Sequence, residues 1–541
     1  MALAGQYLQA DGFKNYEDFC HGLRLNAPPD FNFAFDVADR LAAETPHATA
    51  LLWADARGGT GRCTFADIKA QSDALAGALS ALGLGKGSVA LLLLGTHHEY
   101  WPLLLALHKL GAVAVPCVSQ LTAQDIAYRL QASEANAVFS TAEDGLPQRV
   151  EEAQGSAALL KVLVRGDRPG WRSHGALLSQ APAFARPAEH AAPRATDPLL
   201  LYFTSGTMGL PKRVVHDGRM PLACLAAARY WQGATPGGLH LMLSDTGWCK
   251  AAWGQVYGPW LAGCATFLWE GDGQRDAAAL LAALTGHRVT SLCAPLGIYR
   301  ALLAQDIEAH DLSALTRCAL IAEPLHPDVY REFWERTGLE IREAYGLTET
   351  GVLVAHFDGV PTQPGSMGKP SPLYDVDILD EEGKPCPPGV SGEIAVRIGE
   401  QPLPGMFGGY EGETGSPCGV YRTGDIAWRD EWGYYWYVGR ADDVILSSGY
   451  RIGPFEVETA LASHPAVLEA AVTGAPDPLR HQVVKATVVL RPGYAPDDAL
   501  ARALQDHVKS QTAPYKCPRI VAFAPGLPKT ASGKVIRGLL R

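Results

Sequence analysis

Residues 201–212 read LYFTSGTMGLPK, an apolar lead followed by hydroxyls, glycines and one lysine. Each of these types suits the neighbourhood of a phosphate. Gly206 and Gly209 let backbone amides approach an anion with no Cβ in the way. Thr204, Ser205 and Thr207 add hydroxyl donors, and Lys212 adds positive charge. The stretch is not a Walker A loop, because the lysine trails the second glycine by three residues rather than following it.

Three further clusters carry groups that a nucleotide and its metal would use. In REAYGLTETG, Glu343, Tyr345, Thr348 and Glu349 stand close together, and a carboxylate beside a hydroxyl suits a hard cation. In YRTGD, Asp425 follows a glycine and could accept from two ribose hydroxyls. In LPKTASGKVIR, Lys534 lies in a glycine-flanked tail. Each alone has a plain structural reading: a capped helix start, a turn, a solvated tail.

The elements that must position these groups read as strand–helix–strand units. Short apolar runs (Val89–Leu94, AVAVP, ANAVFS, ALLKVLVR, LLLYFTS, CATFLWE, RVTSLCAP and RCALIAE) alternate with Ala- and Leu-rich segments of helical spacing such as DALAGALSALG and DAAALLAALTGH. Alternation of this kind predicts mainly parallel sheets covered by helices, with the phosphate stretch at the carboxyl edge of a strand. The Pro-, Ala- and Arg-rich stretch RGDRPGWRSHGALLSQAPAFARPAEHAAPRATDP reads as a surface excursion. Near Tyr421 the pattern turns to short alternating runs with glycine turns, as in antiparallel strands. The expected division is a large N-terminal α/β domain, residues 1–440, and a small α+β domain, residues 441–541, with the boundary at Arg440–Asp443.

Length and composition bound the function. At 541 residues the chain exceeds what one hydrophobic core supports. A formal charge of −11 and no run of Lys and Arg argue against a nucleic-acid partner. No stretch is long and apolar enough to span a bilayer, since Gly95, His97, His98, Glu99 and Pro102 interrupt the greasiest one, and the N-terminus does not read as a signal peptide. The 11 cysteines include no C-x-x-C pair and fit buried thiols in a reducing cytoplasm. Monomer and homodimer both stay open.

Taken in order, TSGTMGLPK, YGLTE, YRTGD, GRADD and PKTASGK resemble the successive signatures of the adenylate-forming superfamily of acyl-CoA synthetases, luciferases and peptide-synthetase adenylation domains, over nearly the whole chain. The resemblance implies an ATP-dependent acid–CoA ligase with ATP, Mg2+ and coenzyme A as cofactors. On the matching positions, Thr204, Ser205, Gly206, Thr207, Met208, Gly209 and Lys212 would cradle the β- and γ-phosphates. Glu343, Ala344, Tyr345, Gly346, Leu347 and Thr348 would flank adenine and the α-phosphate, with Tyr345 stacked on the base. Glu349, with Thr207, would hold the metal, Asp425 the ribose hydroxyls, and Arg440 would contact the nucleotide. Lys534 would bridge the acid's carboxylate and the α-phosphate, where negative charges must meet. Asp442 in GRADD would be the pivot on which the small domain turns between half-reactions. Ser448, Gly449, Tyr450 and Arg451 would then line the thiol's approach, and Arg480, Tyr515 and Lys516 match positions that hold CoA.

The motif LSDTGWCKAAWGQVYGPW is similar to the medium-chain, branched and aryl acyl-CoA synthetase branch, with Trp248, Lys250, Ala251, Trp253 and Gly254 expected at the acyl pocket; core packing is the competing reading for the tryptophans. Several positions depart from the family pattern. Met208 stands where Thr or Ser is usual, Ala322 where Gly is usual, Leu347 where Gln is usual, and Leu296–Gly297 where Pro–Thr is common. Two other readings stay open: an adenylation enzyme loading a separate acyl or peptidyl carrier protein, and a catalytically silent nucleotide sensor. A luciferase-like oxygenase is more remote.

Overall fold

The apolar runs become strands because β-branched and aromatic residues with both faces covered suit a buried parallel sheet. The structure, a computed structural model, describes residues 3–541 except 10–12, 14, 157, 189–191, 205–210, 400–402, 411–418, 449 and 530–534, and for Arg451 the backbone alone.

Two large sheets carry the N-terminal part. In a seven-stranded sheet, Val89–Leu93 lies between Val113–Pro116 and Ala137–Ser140, all parallel. Beyond Val113–Pro116 comes Pro198–Thr204, also parallel, and then the antiparallel edge strand Lys212–Asp217. A nine-stranded sheet has a parallel centre that includes Leu239–Met242, Ser291–Cys293, Arg317–Ile321 and Ile341–Leu347. Its antiparallel members are edge strands: Gly351–Ala355 and Lys369–Pro370 on one side, Thr60–Thr64 on the other. Helices such as Phe65–Ala81 and the fully buried Tyr100–Leu110 cover the sheets. The helix Phe65–Ala81 starts at a capping box, Thr64 and Asp67 satisfying each other's backbone amides.

The stretch after Arg165 runs over the surface, as expected, and is fastened there. Arg172–Ser173 adds an edge strand, and the Pro182 carbonyl lies where a Cβ on Gly77 would sit 2.2 Å from it. Phe184 then stacks on Phe35.

The two large sheets are tied by an ion-pair network that ordinary packing does not need. Glu270, at the end of Ala265–Glu270, accepts from His98 Nδ1 at 2.7 Å and lies 3.3 Å from His97 Nδ1. Arg165 grips Glu99 at 2.8 Å and reaches Glu270 at 3.0 Å. His97 also meets Glu143 at 3.0 Å through Nε2.

The antiparallel texture noticed at Tyr421 starts earlier than expected, in a four-stranded antiparallel sheet built from Asp375–Leu379, Gly392–Ile398, Gly419–Arg429 and Tyr435–Arg440. A separate five-stranded sheet follows, from Ile445–Ser447 to Ile520–Phe523, backed by the helices Pro454–Ala462 and Asp498–Gln511. Ile445, Val457, Leu461, Val472, Val488, Leu504 and Val508 form its own core. Phe455 reaches back from this unit, meeting the rings of His326 and Tyr437 edge-on, each at 6.2 Å. All ten described cysteines are free thiols, and seven are buried. No helix among the described residues is long and apolar enough to cross a membrane.

Candidate active site

The phosphate stretch spans the tip of a hairpin. Thr204 and Lys212 are directly paired across the antiparallel strands that lead into and out of it. Ser205, Gly206, Thr207, Met208 and Gly209, expected to cradle phosphate, lie outside the described residues, as do Gly449 and Lys534.

Lys212 is exposed, and its Nζ stands 4.3 Å over the ring of Tyr410. The Tyr410 hydroxyl donates to Glu349 Oε1 at 3.1 Å. Glu349 is buried, and that burial raises its pKa; Tyr410, Arg440 and Lys212 each pull it back down. A buried carboxylate is an oxygen donor of the kind that suits a hard divalent cation. The backbone just before Tyr410 is fastened twice: Phe407 N donates to the Glu349 carbonyl and Gly408 N to that of Val215, both at 2.8 Å.

Glu343 to Thr348 run along a strand and out of it. Gly346 has a packing reason, since a Cβ there would meet the Gly351 carbonyl at 2.0 Å. His216 Nε2 donates to the Thr348 carbonyl at 2.7 Å; burial lowers the His216 pKa to about 4 and keeps the ring neutral. Glu343 accepts from Leu325 N at 3.1 Å and is fully enclosed, so desolvation pushes its carboxyl up to about 8. Ala344 is buried, and Leu347 N donates to Thr350 Oγ1.

Asp425 is the best-held carboxylate of the set. Tyr345 donates to its Oδ2 at 2.7 Å and Tyr437 to its Oδ1 at 3.1 Å. Arg440, its partner across the strands, approaches Oδ2 at 3.5 Å. Gly424 has φ +75, and a Cβ there would strike the Arg440 guanidinium at 2.7 Å. Arg440 Nε also faces Asp442 at 3.5 Å, and Arg541 donates to the Asp442 carbonyl at 2.9 Å.

The acyl-pocket residues divide. Trp253 lines a cavity together with Met220, Cys224, Val352, Leu373 and Tyr374, none of which the motif had indicated. Gly254 follows in the same wide π-helical turn, Ala252–Tyr257, but is explained by packing: a Cβ would meet Met242 Sδ at 2.1 Å. Ala251 is fully buried, and Trp248 packs against the core that contains Cys117 and Val118. Lys250 is close enough to the buried Cys293 to act on it electrostatically. Leu296, Gly297 and Leu347 do not line the cavity. Leu296 packs in the core beneath the nine-stranded sheet.

Around the five-stranded sheet the structure groups Ser448, Tyr450, Arg480, Tyr515 and Lys516. The exposed rings of Tyr450 and Tyr515 stack at 4.1 Å, Lys516 reaches over Tyr515, and Arg480 donates to Ser448 Oγ at 3.2 Å. Lys516 is ion-paired with Glu456.

Comparison with known proteins gives the family. Residues 38–410 match the AMP-binding enzyme family, and residues 456–534 match the AMP-binding enzyme C-terminal domain. The human protein named acyl-coenzyme A synthetase ACSM5, mitochondrial, is 42% identical over 537 residues, covering 96% of this chain and 91% of the relative. A crystal structure of a Brucella canis acyl-CoA synthetase is 32% identical with a TM-score of 0.74, covering 98% of both chains. The anthranilate CoA ligase AuaEII, solved with anthranoyl-AMP, is 29% identical with a TM-score of 0.84, covering 95% of this chain and 97% of its own. The chain belongs to the AMP-binding enzyme family and is an ATP-dependent acyl-CoA synthetase.

Proposed function

We propose that the chain joins a medium-chain, branched or aryl carboxylic acid to coenzyme A in two steps at the cleft around Glu349 and Asp425. In the first, a carboxylate oxygen of the acid attacks the α-phosphorus of ATP and pyrophosphate leaves. In the second, the CoA thiol attacks the acyl carbon of the acyl-adenylate, loses its proton, and AMP leaves. A carboxylate cannot expel its own oxygen at neutral pH, and adenylation supplies the leaving group. Chemistry of this kind needs positioning and charge neutralisation more than a protein nucleophile.

The observation that supports this most is the convergence of four motifs that lie far apart in sequence. Lys212 meets Glu349 through Tyr410, Arg440 acts on both Glu349 and Asp425, and Asp425 is held by Tyr345 and Tyr437. In this reading Thr204–Lys212 bind the β- and γ-phosphates, and Asp425 accepts from the ribose. Glu349, with Thr207, would hold Mg2+, which would screen the phosphate charge. Lys534 draws the two anions together. With its hydroxyl already given to Asp425, Tyr345 presents its ring to adenine.

Residues 1–440 and 441–541 act as two domains with the pivot at Asp442, and the patch of Ser448, Gly449, Tyr450, Arg451, Arg480, Tyr515 and Lys516 receives CoA after the turn. Trp253 forms one wall of the acyl pocket. The structural relatives whose names identify anthranilate and benzoate as acids support the aryl part of this reading. A cytoplasmic location belongs to the same reading, although curated relatives carry the word mitochondrial in their names; fractionation of the native cell decides it.

Pyrophosphate release measured across straight, branched and aromatic acids, from acetic to lauric, tests the whole. The expected result is acid-dependent release with thioester formed on CoA. Thioester formed only on acyl carrier protein would replace this reading with carrier loading, and background release with every acid would replace it with a nucleotide sensor.

A further inference from the structure

Tyr410 is the one described side chain that touches both Lys212 and Glu349 in these contacts, and no signature motif contains it. Its ring lies under the Lys212 ammonium at 4.3 Å, a cation–π distance, while its hydroxyl donates to Glu349 at 3.1 Å. The ring is itself wedged. Phe407 meets it edge-on at 4.9 Å and meets Tyr421 at 5.3 Å. The backbone of Tyr410 bridges to Val214, two residues along the strand from Lys212, and Gly408 N donates to Val215. A side chain held this firmly fixes whatever it touches.

The geometry matters because the two contacts are of different kinds. Lys212 opens a hairpin strand, so its ammonium can swing on a four-carbon stem unless something defines its floor. Glu349 sits in a burial that penalises its charge, and a hydroxyl donor is one of the groups that make the ionised form tolerable.

We propose that Tyr410 is a positioning residue that sets the phosphate-loop lysine and the Glu349 carboxylate at a fixed separation, so that a triphosphate and its divalent cation are received as one unit. It touches no reacting atom. The inference rests on the reading of Glu349 as the cation's ligand. It assigns to the segment 407–410 the role of a brace between the hairpin and the strand end that carries Glu349.

The two contacts can be separated. Tyr410→Phe removes the hydroxyl and keeps the ring, whereas Tyr410→Leu removes both. Full-length protein is loaded with α,β-methylene-ATP, which cannot be cleaved at the reacting bond. Mn2+ binding to that complex is followed by the electron paramagnetic resonance of the free ion, and nucleotide binding in EDTA is followed by calorimetry. Tyr410→Phe is expected to weaken Mn2+ binding about tenfold, the size typical of lost ligand-orienting partners, with metal-free nucleotide affinity unchanged. Tyr410→Leu is expected to weaken both. Glu349→Gln is measured alongside. If it weakens Mn2+ binding and Tyr410→Phe does not, the brace is refuted while Glu349 stays a ligand. If Glu349→Gln leaves Mn2+ binding untouched, the ligand reading fails and takes the brace with it.

Discussion

Tyr345 donates its hydroxyl to Oδ2 of Asp425 at 2.7 Å, across 80 residues of sequence. With Tyr437 on the other oxygen, the carboxylate is oriented before any nucleotide arrives, and both donors belong to half-buried side chains. In the proposed reading the ribose hydroxyls meet this oriented carboxylate.

Removing one of these donors should loosen the ribose without touching the chemistry. Tyr437→Phe is expected to raise the KM for ATP by roughly three- to tenfold, the range of one ordinary hydrogen bond, with kcat nearly unchanged. Asp425→Ala should cost more, on the order of a hundredfold in kcat/KM for ATP, because Arg440 then loses its partner as well. A fall in kcat with constant KM would assign Asp425 to the transition state instead.

Lys534→Ala is expected to slow adenylate formation by about two to three orders of magnitude, as loss of a charge-stabilising group does, yet to spare thioester formation from supplied acyl-AMP. Asp442→Pro, which fixes φ at the pivot, should give the opposite pattern. Single-turnover assays of each half-reaction separate the two, and equal loss of both halves in either variant contradicts its role.

The network between the two large sheets predicts a pH dependence of stability. Burial works against charge on His97, but its contacts with Glu143 and Glu270 outweigh that and raise its pKa to about 9. A group whose folded pKa is raised stabilises the fold fully below its unfolded value, about 6.5, and loses that contribution as the pH climbs through about 9. Denaturant midpoints should therefore fall between about pH 6.5 and 9 by the equivalent of roughly 1–3 kcal/mol. His97→Gln should flatten the slope, and an unchanged slope would place the titration elsewhere.

Ala322, noted as standing where glycine is usual, has φ +83. An L residue there costs about 1 kcal/mol, offset in part by glycine's larger entropy loss on folding. Ala322→Gly is expected to leave stability equal or to raise it by up to ~1 kcal/mol. Ala322→Val should lower it by more than ~1 kcal/mol, since branched side chains fit this region worst. Urea unfolding of the three proteins checks the order.

Much of this was legible in residue order. The apolar runs at Val89, Ala137, Leu199 and Arg317 are strands because nothing but a covered parallel sheet accommodates them, and local composition carries that information. The phosphate stretch shows itself by side-chain type, whereas Glu349, Asp425 and Arg440 stand out only through the ordered motifs and the family resemblance those motifs carry. The aromatic donors do not. Tyr437 faces Asp425 through a register that shifts at a β-bulge between Ile426 and Ala427, and no residue in the sequence marks that shift. Tyr410 acts through its bridge to Val214, a contact between segments nearly two hundred residues apart. Gly254 shows the converse: its place in a motif suggested a pocket, whereas its closest neighbours are Met242 and Gln232 in the core.

Phe455 has a consequence of its own. It belongs to the C-terminal helix Pro454–Ala462, yet it leans on Tyr437, whose far end is bonded to Asp425. If the C-terminal unit turns as proposed, this ring contact breaks with the turn, and Tyr437 gains or loses a neighbour according to where that unit sits. The carboxylate that Tyr437 holds would then sense the swivel through one aromatic ring.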